Sequence, residues 1–273
     1  MKKHILIIFI CLINSLILAQ KKDFLIEYKF NFTNDSLNSS EKLTELMVIR
    51  VYDNGFVFLP KNIFRDDTIK GDFTTYMKNG IVDVNEMYKK NGKTHHRLKL
   101  FYNKNENKYF TQANVSFTAI DFEDSVPNIS WKLVDEEKEI NGYKVKKATT
   151  NLFGRKWDAW YTEEIPISYG PYKFYGLPGL ILNIKDSQDL FSFEFVNIAK
   201  SNSSIPMPFE IGRTKMTRNE FLDYIKKYKE NPFIVLNGRK SLVKDDEEFL
   251  KRKKALLELN NNLIERGLQF NLK

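Results

Sequence analysis

The carboxylates near the middle of the chain are the residues whose types best fit a reaction: Asp158, Glu163, Glu164, Asp186 and Asp189 stand close together in sequence. Two such groups held roughly 5 to 9.5 Å apart can run glycoside hydrolysis, one as acid and the other as base or nucleophile. Their contexts favour a plainer reading. Glu163-Glu164 precedes Ile165-Pro166, and Asp186-Ser187-Gln188-Asp189 separates two apolar runs, so both look like solvated strand ends and turns. Beyond His4 the only histidines are His95 and His96, and neighbours on a strand point to opposite faces, which keeps them from sharing a metal. The chain has no Gly-x-Ser-x-Gly elbow, Walker loop, dinucleotide fingerprint or His-Glu-x-x-His. These residues point to no catalytic set, no cofactor and no metal, and leave a hydrolase built on a carboxylate pair as an alternative.

Aromatic residues are more informative. In "RKWDAWYT" a strand puts Trp157 and Tyr161 on one face with Ala159, and Trp160 on the other. One face packs a core, while the other lines a cavity or packs a second layer. Together with Phe174 they are the candidate ligand-binding residues. The next segment, "GPYKFYGLPGLIL", sets a turn among leucines: in Leu177-Pro178-Gly179-Leu180, proline at the second position and glycine at the third are type II turn chemistry. Gly176 and Gly179 also permit close backbone approach. The turn leads into "LILNI", apolar on both faces, so this strand is expected to be covered on both sides.

The elements that must position these residues are mostly strands. In "DFLIEYKFNFT", Phe24, Ile26, Tyr28, Phe30 and Phe32 alternate with Leu25, Glu27, Lys29 and Asn31, a period of two. Asp53-Asn54-Gly55 and Asn141-Gly142 each join two strand-like runs as hairpin turns. Further runs bring the count to about ten strands in consecutive antiparallel order. After Pro206 and Pro208 the pattern becomes helical. Thr217 and Glu220 have capping-box spacing ahead of the face Phe221, Tyr224, Ile225 and Tyr228, and the helix stops before Pro232. A second helix is expected from Asp246 to Arg266, with Phe249, Leu256 and Leu263 on its apolar face and Gly267 as the stop. The expected fold is therefore mainly β with C-terminal helices (α+β), a curved antiparallel sheet or half-barrel covered by two helices.

"MKKHILIIFICLINSLILAQ" reads as a secretory signal peptide, residues 1–19, cut after Ala19; the apolar run is short for a bilayer span. Cleavage removes Cys11, the only cysteine, so the mature chain can use no disulfide or thiolate, and no transmembrane span remains. Residues 20–212 form the sheet domain, and residues 213–273 a basic helical segment packed on it. That segment holds fifteen Lys or Arg against nine Asp or Glu, while the whole chain carries a formal charge of +8. Because acids are interspersed among the bases, a solvated helix face is favoured over a polyanion site. The expected location is periplasmic or secreted, which excludes nucleic acid as a partner. "DSL", "DTI" and "DSV" resemble the Asp-Ser/Thr-apolar acceptor of Bacteroidetes O-glycosylation, making Ser36, Thr68 and Ser125 candidates.

"GLPGLI" at Gly176, Leu177, Pro178, Gly179, Leu180 and Ile181 resembles the signature of the GLPGLI family, exported proteins of Bacteroidetes. The resemblance extends upstream through "GYKVKKATTNLFGRKWDAWYTEEIPISYGPYKF", Gly142 to Phe174. It implies export and no established activity. The layout is similar to the LolA-like half-barrel of lipoprotein carriers, which implies a concave face that receives acyl chains, although fold alone assigns no function. The resulting expectation is a non-catalytic envelope protein that binds an apolar small molecule, a lipid or a lipidated ligand. The interaction-module alternative docks instead on an outer-membrane transporter or other envelope protein.

Overall fold

The computed structural model describes residues 23–33, 35, 42–62, 77–78, 81–82, 99–115, 118–201, 213–231, 251 and 265. Its strands are β1 (Phe24–Phe32), β2 (Leu43–Tyr52), β3 (Gly55–Pro60), β4 (Met77–Lys78), β5 (Ile81–Val82), β6 (Lys99–Asn103) and β7 (Lys108–Val115). They continue with β8 (Thr118–Ser125), β9 (Lys132–Ile140), β10 (Tyr143–Leu152), β11 (Arg155–Thr162), β12 (Leu180–Asp186), β13 (Phe191–Lys200) and β14 (Thr214–Thr217). One described helix follows, α1 (Arg218–Glu230). Twelve strands form a single open sheet in the order β14-β8-β7-β6-β3-β2-β1-β13-β12-β11-β10-β9, and β4 pairs with β5 apart from it.

The period-two pattern of β1 places that strand at the centre of the sheet. Ile26, Tyr28, Phe30 and Phe32 are buried on one face, and β1 pairs with both β2 and β13. Phe30 lies opposite Phe193 with ring centroids 4.3 Å apart, so cross-strand stacking reinforces the register. Asn141 and Gly142 both take positive φ, 50° and 82°, in the tight turn the sequence predicts between β9 and β10. The β2–β3 turn forms one residue earlier than expected: Tyr52 pairs with Gly55, leaving Asp53 and Asn54 as the loop.

Two connections depart from the expected consecutive antiparallel order. β14 pairs with β8 in parallel. The chain also passes from β8 to β9, strands near opposite ends of the sheet, through residues 126–131 alone. In a flat sheet those strands would stand about 48 Å apart, ten steps of about 4.8 Å, whereas the linker can reach only about 24 Å. The sheet is therefore strongly curled, with an apolar concave face. Edge strand β9 is nearly all exposed and carries Lys132, Asp135, Glu136, Glu137, Lys138 and Glu139, charges that discourage pairing with another chain.

α1 has the expected cap. Thr217 and Glu220 form a reciprocal capping box, and Glu220 is held below the usual carboxylate range by hydrogen bonds from the Thr217 backbone and hydroxyl. Its apolar face packs on β7 and β8: Phe221 stacks on Phe122 at 4.3 Å, and Tyr224 OH donates to Thr118 Oγ1 at 3.0 Å. The helix thus covers one end of the sheet. Of the second helix expected from Asp246 to Arg266, only Lys251 and Glu265 are described; the expected signal peptide lies outside the described residues, as do His95 and His96.

Candidate functional site

The stretch that carries the signature packs into the core on the concave face. Between β11 and β12, residues 163–179 fold back into the curl as a small hairpin, here termed the plug. Gly170 N–H donates to Phe174 O at 2.8 Å and Gly176 N–H to Ser168 O at 3.1 Å, with Tyr169 bridged to Tyr175. At its tip Phe174 N–H donates to Pro171 O at 3.3 Å, and Tyr172 takes φ 58°, a costly conformation for a bulky residue. The surroundings enforce it: the buried Tyr172 ring stands edge-on to Phe153 at 5.9 Å and Phe58 at 6.3 Å. Phe174 packs edge-on against Trp157 at 4.8 Å, with Ile167 and Leu177 buried in the same core.

The leucine-flanked turn closes this plug and is tighter than type II. Gly179 N–H donates to Leu177 O at 2.8 Å, a three-residue turn centred on Pro178, whose fixed φ suits it. Gly179 has φ 158°, and a Cβ there would stand 1.9 Å from the carbonyl oxygen of Thr162. Glycine is needed for this approach to β11. The left-handed backbone lies at Gly176, φ 92°. Leu177, Leu180 and Ile181 are all buried, and Tyr28 OH donates to Ile181 O at 2.7 Å.

Of the candidate ligand-binding residues, Trp157, Tyr161 and Phe174 belong to this one core, at 0%, 2% and 0% exposure. Trp160 faces the other way, half-buried, with Lys138 Nζ 4.0 Å from its ring centroid and Lys147 Nζ at 5.8 Å. The carboxylates disperse into separate contacts. Asp186 is buried, pairing with Arg155 at 2.9 Å and accepting from the N–H groups of Leu190 and Phe191 at 2.8 and 3.0 Å. Asp189 pairs with Lys42, Glu163 with Lys146 at 3.1 Å, and Glu164 accepts from Lys144 N–H at 2.8 Å. Asp158 faces outward, opposite Lys185. Ser125 is exposed at the end of β8; Ser36 and Thr68 lie outside the described residues. A groove of about 380 Å³ runs along β8, β14 and the start of α1, and no residue of the plug or of the Trp157 face lines it.

Sequence reasoning missed a ring of charge at the plug tip, buried except at Arg218. Lys173 Nζ donates to Asp124 Oδ2 and Glu265 Oε1, each at 2.7 Å. Arg218 Nη2 donates to Glu265 Oε2 at 2.8 Å and Nη1 to Asp124 Oδ2, while Tyr172 OH donates to Glu265 Oε1. Two cations and two anions thus alternate, joining the plug, β8, α1 and the C-terminal segment. Burial would raise Glu265, but the Lys173 charge and hydrogen bonds from Lys173, Tyr172 and Arg218 hold it below the usual carboxylate range. Tyr172 is pushed well above the ordinary phenol value by burial and by the Glu265 charge and hydrogen bond, so its hydroxyl stays protonated and donates. Both carboxylates are engaged by cations. The ring is built to hold charge in place. Its one legible trace is Lys173, the only charged residue in "GPYKFYGLPGLIL".

No curated protein matches the chain. Among solved structures, PNGF-II in the P21 space group is similar at TM-score 0.53 and 15% identity, over 76% of this chain and 34% of that one. The C2 form is similar at TM-score 0.52 and 16% identity, over 83% of this chain and 37% of that one. The likeness is one of fold, and this chain spans about a third of those proteins' length. Residues 154–183, which run from the β10–β11 turn through the plug into β12, match the family described as "Protein of unknown function (Porph_ging)".

Proposed function

We propose that this is an exported, non-catalytic binding module of the GLPGLI type that docks on another envelope component through its exterior. The observation that carries the reading is the plug: on the apolar concave face, where a LolA-like carrier would receive acyl chains, the chain packs its own hairpin into the core. Withdrawing Ile167, Tyr172, Phe174 and Leu177 would forfeit roughly 1.5–3 kcal/mol each, or on the order of 10 kcal/mol together. That is comparable with the whole stability of a domain, about 5–15 kcal/mol. An apolar or lipidated ligand would have to supply this before binding, so the interior reading ranks second. A hydrolase ranks third, because Asp186, Asp189, Glu163 and Glu164 are each tied into a separate contact and Asp158 faces outward.

The exterior offers a broad polar surface. Successive register pairs set Lys147, Trp160, Asn183, Glu194, Lys29 and Leu46 in one row across β10, β11, β12, β13, β1 and β2. Residues of both charge signs flank Trp160, and Leu46 is exposed, a mixture that suits a protein partner. A photo-crosslinking residue at position 183, with the protein in its native envelope, should give one discrete protein adduct, and the same probe at buried position 177 should give none. Fatty acids of increasing length, titrated against tryptophan fluorescence, should show no chain-length dependence; a steady gain in affinity per CH₂ would return the interior reading to first place.

A further inference from the structure

The groove along β8, β14 and the start of α1 opens on the outer side of the sheet. Tyr109 belongs to the concave core, so by alternation Phe110 and its register partner Glu123 face outward, as does Asp121, with Lys215 opposite it on β14. The Phe110 ring is half-buried, tilted against Phe101 with centroids 6.0 Å apart, and lines the groove. Three carboxylates line it too, and each commits one oxygen to the protein. Asp121 receives Arg213 on Oδ1, Glu123 receives Lys108 on Oε2 at 2.8 Å, and Glu220 receives the Thr217 backbone and hydroxyl on Oε2 at 2.7 and 2.8 Å. The second oxygens of Glu123 and Glu220 meet no donor among the described residues. Asp121 Oδ2 is the telling atom: the residue is 2% exposed, yet this oxygen also lacks a donor among the described residues. A buried acceptor left unpaired is costly, and a donor carried by a ligand would satisfy it.

The balance of charge selects the class of ligand. Arg213, Lys108 and Lys215 match the three carboxylates, so a cation would gain little there and would meet the exposed Lys215 ammonium. A wholly apolar ligand would leave the carboxylate oxygens without donors. What fits is a neutral molecule with several hydroxyls on one side and a C–H face on the other, and the groove's volume of about 380 Å³ is in the range of small-molecule sites, about 300–1,000 Å³. We propose that this groove binds a sugar, whose hydroxyls donate to Asp121 Oδ2 and to the Glu123 and Glu220 carboxylates and accept from Lys215 Nζ, while its C–H face rests on Phe110. The groove shares no residue with the row through Asn183, so this inference and the docking reading fail independently.

The test titrates the methyl α-glycosides of glucose, galactose, mannose and N-acetylglucosamine into the isotope-labelled full chain, followed by amide NMR. At least one should shift the amides of Glu123, Lys215 and Thr217 saturably, with an affinity that holds as salt is added. Phe110→Ala should weaken that binding about tenfold, equivalent to about 1.4 kcal/mol. Because this change also removes packing on Phe101, Lys215→Ala, at an exposed position, is the second variant; it should keep the wild-type Tm and weaken binding several-fold. Butylammonium chloride should give no saturable shift at the same amides. Silence with all four glycosides would overturn the proposal, as would saturable shifts from butylammonium alone, which would make the groove a cation site. Sugar-induced shifts centred away from the groove, or an affinity unchanged in both variants, would overturn it as well.

Discussion

Gly179 and Asp186 show how much single residues carry in this fold. A methyl group at Gly179 would collide with the Thr162 carbonyl, so the turn must shift off β11. Gly179→Ala should cost about 1–3 kcal/mol, and Pro178→Ala only about 0.4–1 kcal/mol through unfolded-state entropy. Thermal melting of the two variants checks the order, and equal Tm values for Gly179→Ala and wild type would contradict the close approach. Asp186 holds Arg155 and two backbone N–H groups, all buried. Asp186→Ala should therefore cost about 3–5 kcal/mol, as expected when one partner of a buried ion pair is removed. Removing exposed Asp189 from its pair with Lys42 should cost less than about 1 kcal/mol, and the contrast is measurable by urea denaturation.

At the scale of the element, the plug behaves as a piece of core inserted by a loop. Phe174 contacts Trp157 at 4.8 Å, so Phe174→Ala should cost about 3–5 kcal/mol and alter the near-UV circular dichroism of the tryptophans. An unchanged near-UV spectrum would mean that the plug does not rest on Trp157. The charge ring adds a pH dependence whose sign follows from Glu265. Its folded value lies below its ordinary one, so its contribution is present above the ordinary carboxylate range and is lost as pH falls through the depressed folded value. Wild type and Glu265→Gln should differ most in Tm near neutrality and converge in acid. A gap that stays constant with pH would show that the Glu265 charge contributes nothing.

For the whole molecule, one core spans the two halves of the sheet and the plug, from Ile26 on β1 through Phe58 and Trp157 to Phe193. Because this core draws on strands from both halves, unfolding should be a single transition with coincident far-UV and near-UV curves. β1 pairs with β13, Phe24 opposite Lys200, so the central ladder waits on closure of most of the chain. Refolding should accordingly be slow for the size, in milliseconds to seconds or longer. Stopped-flow fluorescence tests this, and a microsecond phase carrying most of the amplitude would contradict it.

Local chemistry made the strands, two hairpins and one helix legible. Alternation in β1, Asn141-Gly142 and the Thr217–Glu220 box act over a few residues, and each recurs in the structure at or next to its predicted place. Leu177, Leu180 and Ile181 likewise announced by their composition that the turn would be buried. Three features were decided by tertiary structure alone. A curved sheet was expected, but the strand order behind the curl, with β1 beside β13 and β8 far from β9, is a global ordering that no short window contains. The type of turn at Pro178 follows from contact with Thr162, which a propensity for type II cannot anticipate. The charge ring joins Asp124, Lys173, Arg218 and Glu265, residues far apart in sequence, because burying one cation obliges the fold to bring anions from wherever the chain can deliver them. Lys173 by its type required such a partner, and only the closed fold could say which one.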